Sequence, residues 1–208
     1  MPLLPLIIAL HASFTSVLPL EQRMAMDVLA ELNRARTDPV RYAESLRTYR
    51  GYYRDRVIVS PVTAIRYLTV EGVAPVDEAI DYVVRRERQA PLAPAAALAA
   101  AASDHQAEQQ RDGAVGHDGP DGSTPGDRVR RRGGGRYVGE VIAYGSEDAA
   151  DVVRQLVVDD GVADRGHRTL LFDDSIRYAG VSCGGHPVYR YMCVITVART
   201  RDGRPRSG

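Results

Sequence analysis

Between residues 22 and 36, Met26, Leu29, Ala30 and Leu32 recur close to every third or fourth position, the spacing of one buried helical face. Asp38-Pro39 breaks that pattern and opens a second helix over Val40 to Tyr49. From Tyr52 to Val70 the mixture of Tyr, Val, Ile and Arg has no clear period and predicts irregular structure with one short extended piece. Ile80, Val83 and Val84 give an amphipathic helix over Asp77 to Gln89, and the Ala-rich run Pro94 to Asp112 gives another, stopped by Gly113. Thr124-Pro125-Gly126-Asp127 has the form of a capping box with Pro at the first helical position, so a short helix through Val129 should follow.

The pattern then changes. Tyr137 to Tyr144 carries large apolar residues on both faces, as a strand covered on both sides does. Val152, Val153, Leu156 and Val157 form one stripe of a helix over Asp148 to Asp159. Arg177 to Cys183 and Val188 to Arg199 read as a terminal hairpin. This order of elements points to an α+β fold, a three-layer α/β/α sandwich with a mainly antiparallel sheet.

Composition narrows the classes of function. The 208 residues are 44% hydrophobic, enough for one domain with a sizeable core, assigned to 21–200. The 27 basic and 27 acidic groups cancel, which argues against specific nucleic-acid binding by the whole surface. Every basic residue is Arg, and the absence of Lys excludes Schiff-base chemistry through a lysine. Residues 1–20 lack Asp, Glu, Lys and Arg, and Leu3 to Leu10 resemble the apolar centre of a signal peptide, too short for a transmembrane span. The expectation is export to a secreted or extracytoplasmic location, against the alternative of an apolar segment packed on the domain. Residues 201–208 read as a flexible tail.

Cys183 and Cys193 leave two alternatives. A tight turn at Gly184 to Pro187 would set Cys183 opposite Val188 and about 17 Å from Cys193, at roughly 3.3 Å per residue, leaving two free thiols. A wider loop over 184–192 would allow a disulfide, which suits an oxidising compartment.

The candidate chemistry lies in short segments from separate elements: Gly116-His117-Asp118-Gly119, Gly139-Glu140-Val141 and Asp164-Arg165-Gly166-His167-Arg168. Strand alternation puts Glu140 with Val138 and Ile142, and a carboxylate there needs a cation, a donor or a metal; a salt bridge from sheet to helix is the structural alternative. His167, with Asp164 as N-cap, falls in the first turn of a short helix, whose positive end favours a neutral imidazole able to ligate a metal or accept a proton. His117 alone would be a surface histidine in a Gly-rich loop. Asp159 shares the inward stripe of its helix and is either compensated by an Arg, part of a site, or a solvated helix end. His105, beside Leu98 and Ala101, reads as a core histidine. Arg128, Arg130, Arg131, Arg132 and Arg136 read as a solvated basic face, with an anionic polymer or headgroup as the alternative.

These segments, from Leu32-Asn33-Arg34-Ala35-Arg36 to Met192-Cys193-Val194-Ile195, resemble the CAP superfamily of cysteine-rich secretory, antigen 5 and pathogenesis-related 1 proteins, in its bacterial form. The resemblance implies that His117, Glu140 and His167 belong to a cleft tetrad. Its fourth member is commonly a Glu three residues after a Trp, where this chain has Leu156 followed by Asp159. Val141 stands where Asn commonly follows the motif Glu, and Tyr49 to Val76 resembles an insertion of longer bacterial members. The resemblance further implies a binding module for an extracellular ligand or protein, its cleft taking a small ligand or a divalent metal, zinc foremost, on His117, His167 and Glu140. A metal-dependent hydrolase is the rival, with Glu140 and Asp159 as candidate catalytic residues, and a purely structural cleft is the third reading. Gly180-Val181-Ser182-Cys183-Gly184 fits a nucleophile-elbow pattern, but the predicted hairpin denies it the strand-turn-helix setting.

Overall fold

The computed structural model describes residues 18–59 and 66–205, so the apolar segment read as a signal peptide lies almost entirely outside the described residues. Helix α1 (Leu20–Thr37) leads through Asp38, whose carboxylate accepts the Arg41 N–H, into α2 (Pro39–Arg50) with Pro at its first position. Strands β1 (Tyr53–Arg54), β2 (Val57–Val59) and β3 (Arg66–Leu68) form a small antiparallel sheet where irregular structure was expected. Runs of two and three residues are too short to show a period. Helix α3 (Ala74–Val84) is shifted toward the N-terminus relative to the expected Asp77 to Gln89, with Pro75 in its first turn.

A second sheet carries the domain. Its order is β4 (Ala93–Pro94), β6 (Tyr178–His186), β7 (Arg190–Ala198), β5 (Val138–Tyr144), with β4 parallel to β6 and the other pairs antiparallel. One face, with Val141, Ala143, Cys193, Ile195 and Val197, joins the core of α1, α2, α3 and α6 (Ala149–Val158). The other face, with Ile142, Met192, Val194 and Ala198, is covered by α4 (Ala96–Asp112) and α5 (Pro125–Arg131). The result is the expected α/β/α sandwich. Gly113 ends α4 with φ 72°, and the Thr124–Asp127 capping box starts α5.

The hairpin has neither a tight turn at 184–187 nor a wide loop over 184–192, the two alternatives that the sequence left open. Gly184 and Gly185 are strand residues, and the chain reverses at 187–189, so Cys183 lies directly opposite Cys193 and the two form a disulfide with Cα atoms 4.1 Å apart. Gly184 reads as turn chemistry but serves packing: a Cβ there would collide with Gln106 of α4, and one on Gly180 with the backbone of Leu98 and Ala99. That packing accounts for the glycines of the elbow-like pattern, which lies wholly within β6.

Residues 201–204 are not a loose tail. The carbonyls of Asp202 and Gly203 accept the N–H groups of Gly135 and Tyr137, and Gly203 is buried. Among the described residues, no helix is long and apolar enough to cross a membrane.

Candidate functional site: two histidine–carboxylate pairs across a cleft

On β5, Glu140 faces α4 and α5 together with Val138 and Ile142, opposite Thr196 of β7. Its side chain is 1% exposed, a placement that costs several kcal/mol unless the charge is paired. The partner is Arg128 of α5, equally buried, whose terminal nitrogen lies 3.0 Å from both carboxylate oxygens. The same guanidinium donates to the carbonyls of His117 and Ser123, tying the loop before α5 to the sheet. The expected solvated basic face therefore divides. Arg128 turns inward, while Arg131, Arg132 and Arg136 pair on the surface with Asp121, Asp104 and Asp127.

Glu140 also faces His117, with Nδ1 3.1 Å from Oε1. A carboxylate accepts only, so Nδ1 carries the proton and Nε2 presents a lone pair when the ring is neutral. The loop before His117 is held at both ends of Gly116. Its N–H donates to the Tyr144 hydroxyl at 3.1 Å, and its carbonyl accepts from His105 Nε2 at 2.8 Å and Gln109 Nε2 at 2.6 Å. Tyr144 donates in turn to Gln109 Oε1, and burial raises its phenol above the ordinary range, keeping the proton that this bond needs. His105 is fully buried and braces the loop, in keeping with its reading as a core histidine. Its own ring stands 4.0 Å from Glu140.

The second pair lies where α6 meets α7 (Gly166–Leu171). Asp159 ends α6 in the left-handed conformation, φ 61°, and turns its carboxylate into the start of α7. There it accepts from His167 Nδ1 at 2.7 Å and from the N–H groups of His167 and Arg168 at 3.0 and 3.3 Å. Asp159 thus caps α7 from a distance. Asp164, the expected cap, bonds only the Gly166 N–H, and Arg165 occupies the N-cap position. The shorter Asp still reaches His167. Arg168 points the other way and donates to the carbonyls of Val157, Val158 and Pro75, closing the end of α6.

The segment from Val70 to Glu78 braces this second pair. The N–H groups of Val70 and Glu71 bond Asp160, while the Glu71 carboxylate accepts from Gly161 N–H and from Arg165, which also reaches Glu78. Arg165 completes the joint by donating to the carbonyls of Asp159 and Val162. Its guanidinium and the Gly161 N–H hold the Glu71 carboxyl down at about 2, and Arg165 lowers Glu78 as well.

The two imidazoles meet across the opening, ring centroids 6.5 Å apart, with side chains 45% and 26% exposed for His117 and His167. Neither Nε2 has a partner among the described residues. The structure thus brings together all of the expected site residues, His117, Glu140, Asp159 and His167. It adds Arg128, Gln109 and Tyr144, which the sequence reading did not assign to the site. Among the described residues, no group of three or more His, Cys, Asp and Glu side chains is arranged to hold a metal ion.

Residues 29–198, most of the chain, match the CAP family, described as the cysteine-rich secretory protein family. The chain belongs to the CAP family. No curated protein matches it. Among solved structures it is similar to an extracellular protein containing an SCP domain from Bacillus anthracis, at 23% identity and TM-score 0.46, over 60% of this chain and 40% of that one. It is also similar to an outer surface protein from Borrelia burgdorferi, at 16% identity and TM-score 0.43, over 51% of this chain and 75% of that one. The chain thus spans well under half of the Bacillus protein. As a CAP domain it carries a His/Glu cluster in which the buried His105 and Arg128–Glu140 pair stand behind the half-exposed His117.

Proposed function

We propose that this CAP domain works outside the cytoplasm as a binding module, and that its cleft takes a divalent transition-metal ion between His117 and His167. The observation that carries the reading is the matched anchoring of the two rings: each gives its Nδ1 to a buried carboxylate, which leaves both Nε2 lone pairs for a cation. Two imidazoles sharing a tetrahedral zinc at about 2.0–2.1 Å would have centroids about 5 Å apart, so the rings close by roughly 1–2 Å on binding. The half-exposed His117 ring has room for that movement. Nitrogen ligands favour zinc over magnesium or calcium.

Glu140 and Asp159 would then act behind the ligands, fixing ring orientation and tautomer, and the positions left open fall to water or to atoms of the bound partner. A bound zinc would supply a Lewis-acid position for an oxygen of that partner. The hydrolase reading finds less support, because the Glu140 carboxylate is 1% exposed and already accepts from Arg128, His117 and Thr196, which shields it from a substrate or an attacking water. Export is supported by the family and by the Cys183–Cys193 disulfide, which suits an oxidising compartment, with residues 1–20 as the signal and an extracellular ligand or protein as the partner.

Isothermal titration of metal-free protein with Zn²⁺, Mg²⁺ and Ca²⁺ tests the site. Micromolar, one-to-one zinc binding lost in the His117→Ala, His167→Ala double variant is expected. Absence of binding, or binding unchanged in the variant, would remove the metal and leave a cleft for other ligands.

A further inference from the structure

Away from the histidine cleft, a second cleft of about 400 Å³ opens between the end of α1, the segment after α3 and the approach to β6. Arginine dominates its lining. Arg36 comes from α1, Arg85, Arg86 and Arg88 from the stretch after α3, and Arg177 from the residue before β6, against the acids Glu87 and Asp174. In a chain with zero net charge this is a concentrated positive site.

Its guanidinium groups are poorly paired. Among the described residues Arg36, Arg86 and Arg177 form no ion pair. Arg36, 1% exposed, donates to the carbonyls of Ala90, Leu171 and Asp173. Arg177 donates to the carbonyls of Asp174 and Ile176, and Arg86 stacks 4.0 Å over the Tyr82 ring. Arg85 and Arg88 make only long, exposed pairs, 3.6 Å to Asp81 and 3.8 Å to Asp38. Buried positive charge without a carboxylate is unfavourable, and an anion in the cleft would relieve it. Burial, then the neighbouring Arg177, lowers Arg36 to about 10, an effect that Asp174 and Asp173 oppose.

Gln89 gives a second indication. It lines the same cleft, and its Nε2 is fixed by the Phe172 carbonyl and by Asp174, yet its Oε1 is buried with no hydrogen-bond partner. An acceptor in that state calls for a hydroxyl or N–H donor. Arginines lining one cleft from three separate elements suit a tetrahedral anion, which can accept from several at once, better than a single planar carboxylate.

We propose that this cleft is a binding site for a hydroxylated phosphate ester: the Arg177 and Arg86 guanidinium groups take the phosphate oxygens over the buried charge of Arg36, and Gln89 Oε1 accepts from a hydroxyl of the same molecule. That chemistry is shared by free sugar or glycerol phosphates and by the headgroup of a glycerol phospholipid.

Titration of the full chain with glycerol 3-phosphate, inorganic phosphate and phosphatidylglycerol vesicles, beside phosphatidylcholine vesicles, distinguishes these sources. The exposed Arg177→Gln change should weaken one-to-one binding about tenfold or more. Arg47→Gln, an exposed arginine of α2 outside this cleft, should leave binding unchanged. Glycerol 3-phosphate should bind more tightly than inorganic phosphate, because only the ester offers a hydroxyl on carbon to Gln89. Arg177-dependent binding to phosphatidylglycerol vesicles alone would assign the ligand to the membrane surface. No saturable binding to any probe at about 10 mM, or equal weakening by Arg47→Gln and Arg177→Gln, would overturn the site.

Discussion

The two sides of the histidine cleft hold an imidazole in the same way at the ring and in opposite ways behind it. Behind His117 stands a carboxylate sunk in the sheet and neutralised by an equally buried arginine, with Gly116 clamped from α4 and β5. Behind His167 stands a carboxylate compensated chiefly by backbone N–H groups, on a joint braced from outside by the partly exposed Arg165, Glu71 and Glu78. Both carboxylates are buried, but the first is neutralised from within the core and the second depends on backbone donors at a helix joint that is tied down from the surface. Orientation of a partly exposed histidine requires only a fixed acceptor at Nδ1, and that acceptor can be held by a strand with a buried arginine or by a helix end braced from the surface.

The sharpest way to break this contrast is Arg128→Ala. Leaving Glu140 buried and unpaired should cost about 3–5 kcal/mol in urea unfolding, and adding Glu140→Leu should restore much of it. A loss below about 1 kcal/mol would mean that the pair is not integral to the core. Asp159→Ala should cost less, about 1–3 kcal/mol, since it leaves the His167 and Arg168 N–H groups without an acceptor.

Acid should separate the sides further. Glu71 titrates at about 2 in the folded chain against an ordinary 4.5, so its stabilising effect is complete above pH 4.5 and is lost as pH falls toward 2. Protection of the α7 amides, taken relative to intrinsic exchange at each pH, should therefore fall across that window, and Glu71→Gln should flatten the change while leaving protection in β5 unaffected. A wild-type profile for α7 that stays flat would deny the brace its role. The smallest effect belongs to His117→Ala, within about 0.5 kcal/mol by thermal unfolding, because the ring is near the surface and Arg128 keeps Glu140 paired without it.

What the sequence disclosed follows the same division. Glu140 stood out because a carboxylate at an inward strand position is costly whatever its partner, and Asp159 because it continued the stripe of Val152 and Leu156. Arg128 was hidden in a run of arginines, where only the docking of α5 on the sheet decides which one turns inward. The hairpin register was obscured by Gly184 and Gly185, which look like turn residues but lie within β6, Gly184 because a Cβ there would collide with Gln106 of α4. The brace on His167 joins Glu71 to Arg165, a long-range contact for which local pattern gives no sign.

The most direct test of the proposed metal cleft is a long-range ¹H–¹⁵N spectrum of the histidine side chains during zinc titration. The expected result is a shift of Nε2 in both His117 and His167, with Nδ1 of each ring remaining protonated against its carboxylate. A zinc-dependent shift confined to Nδ1, to other histidines, or absent from both rings would contradict an ion held between them.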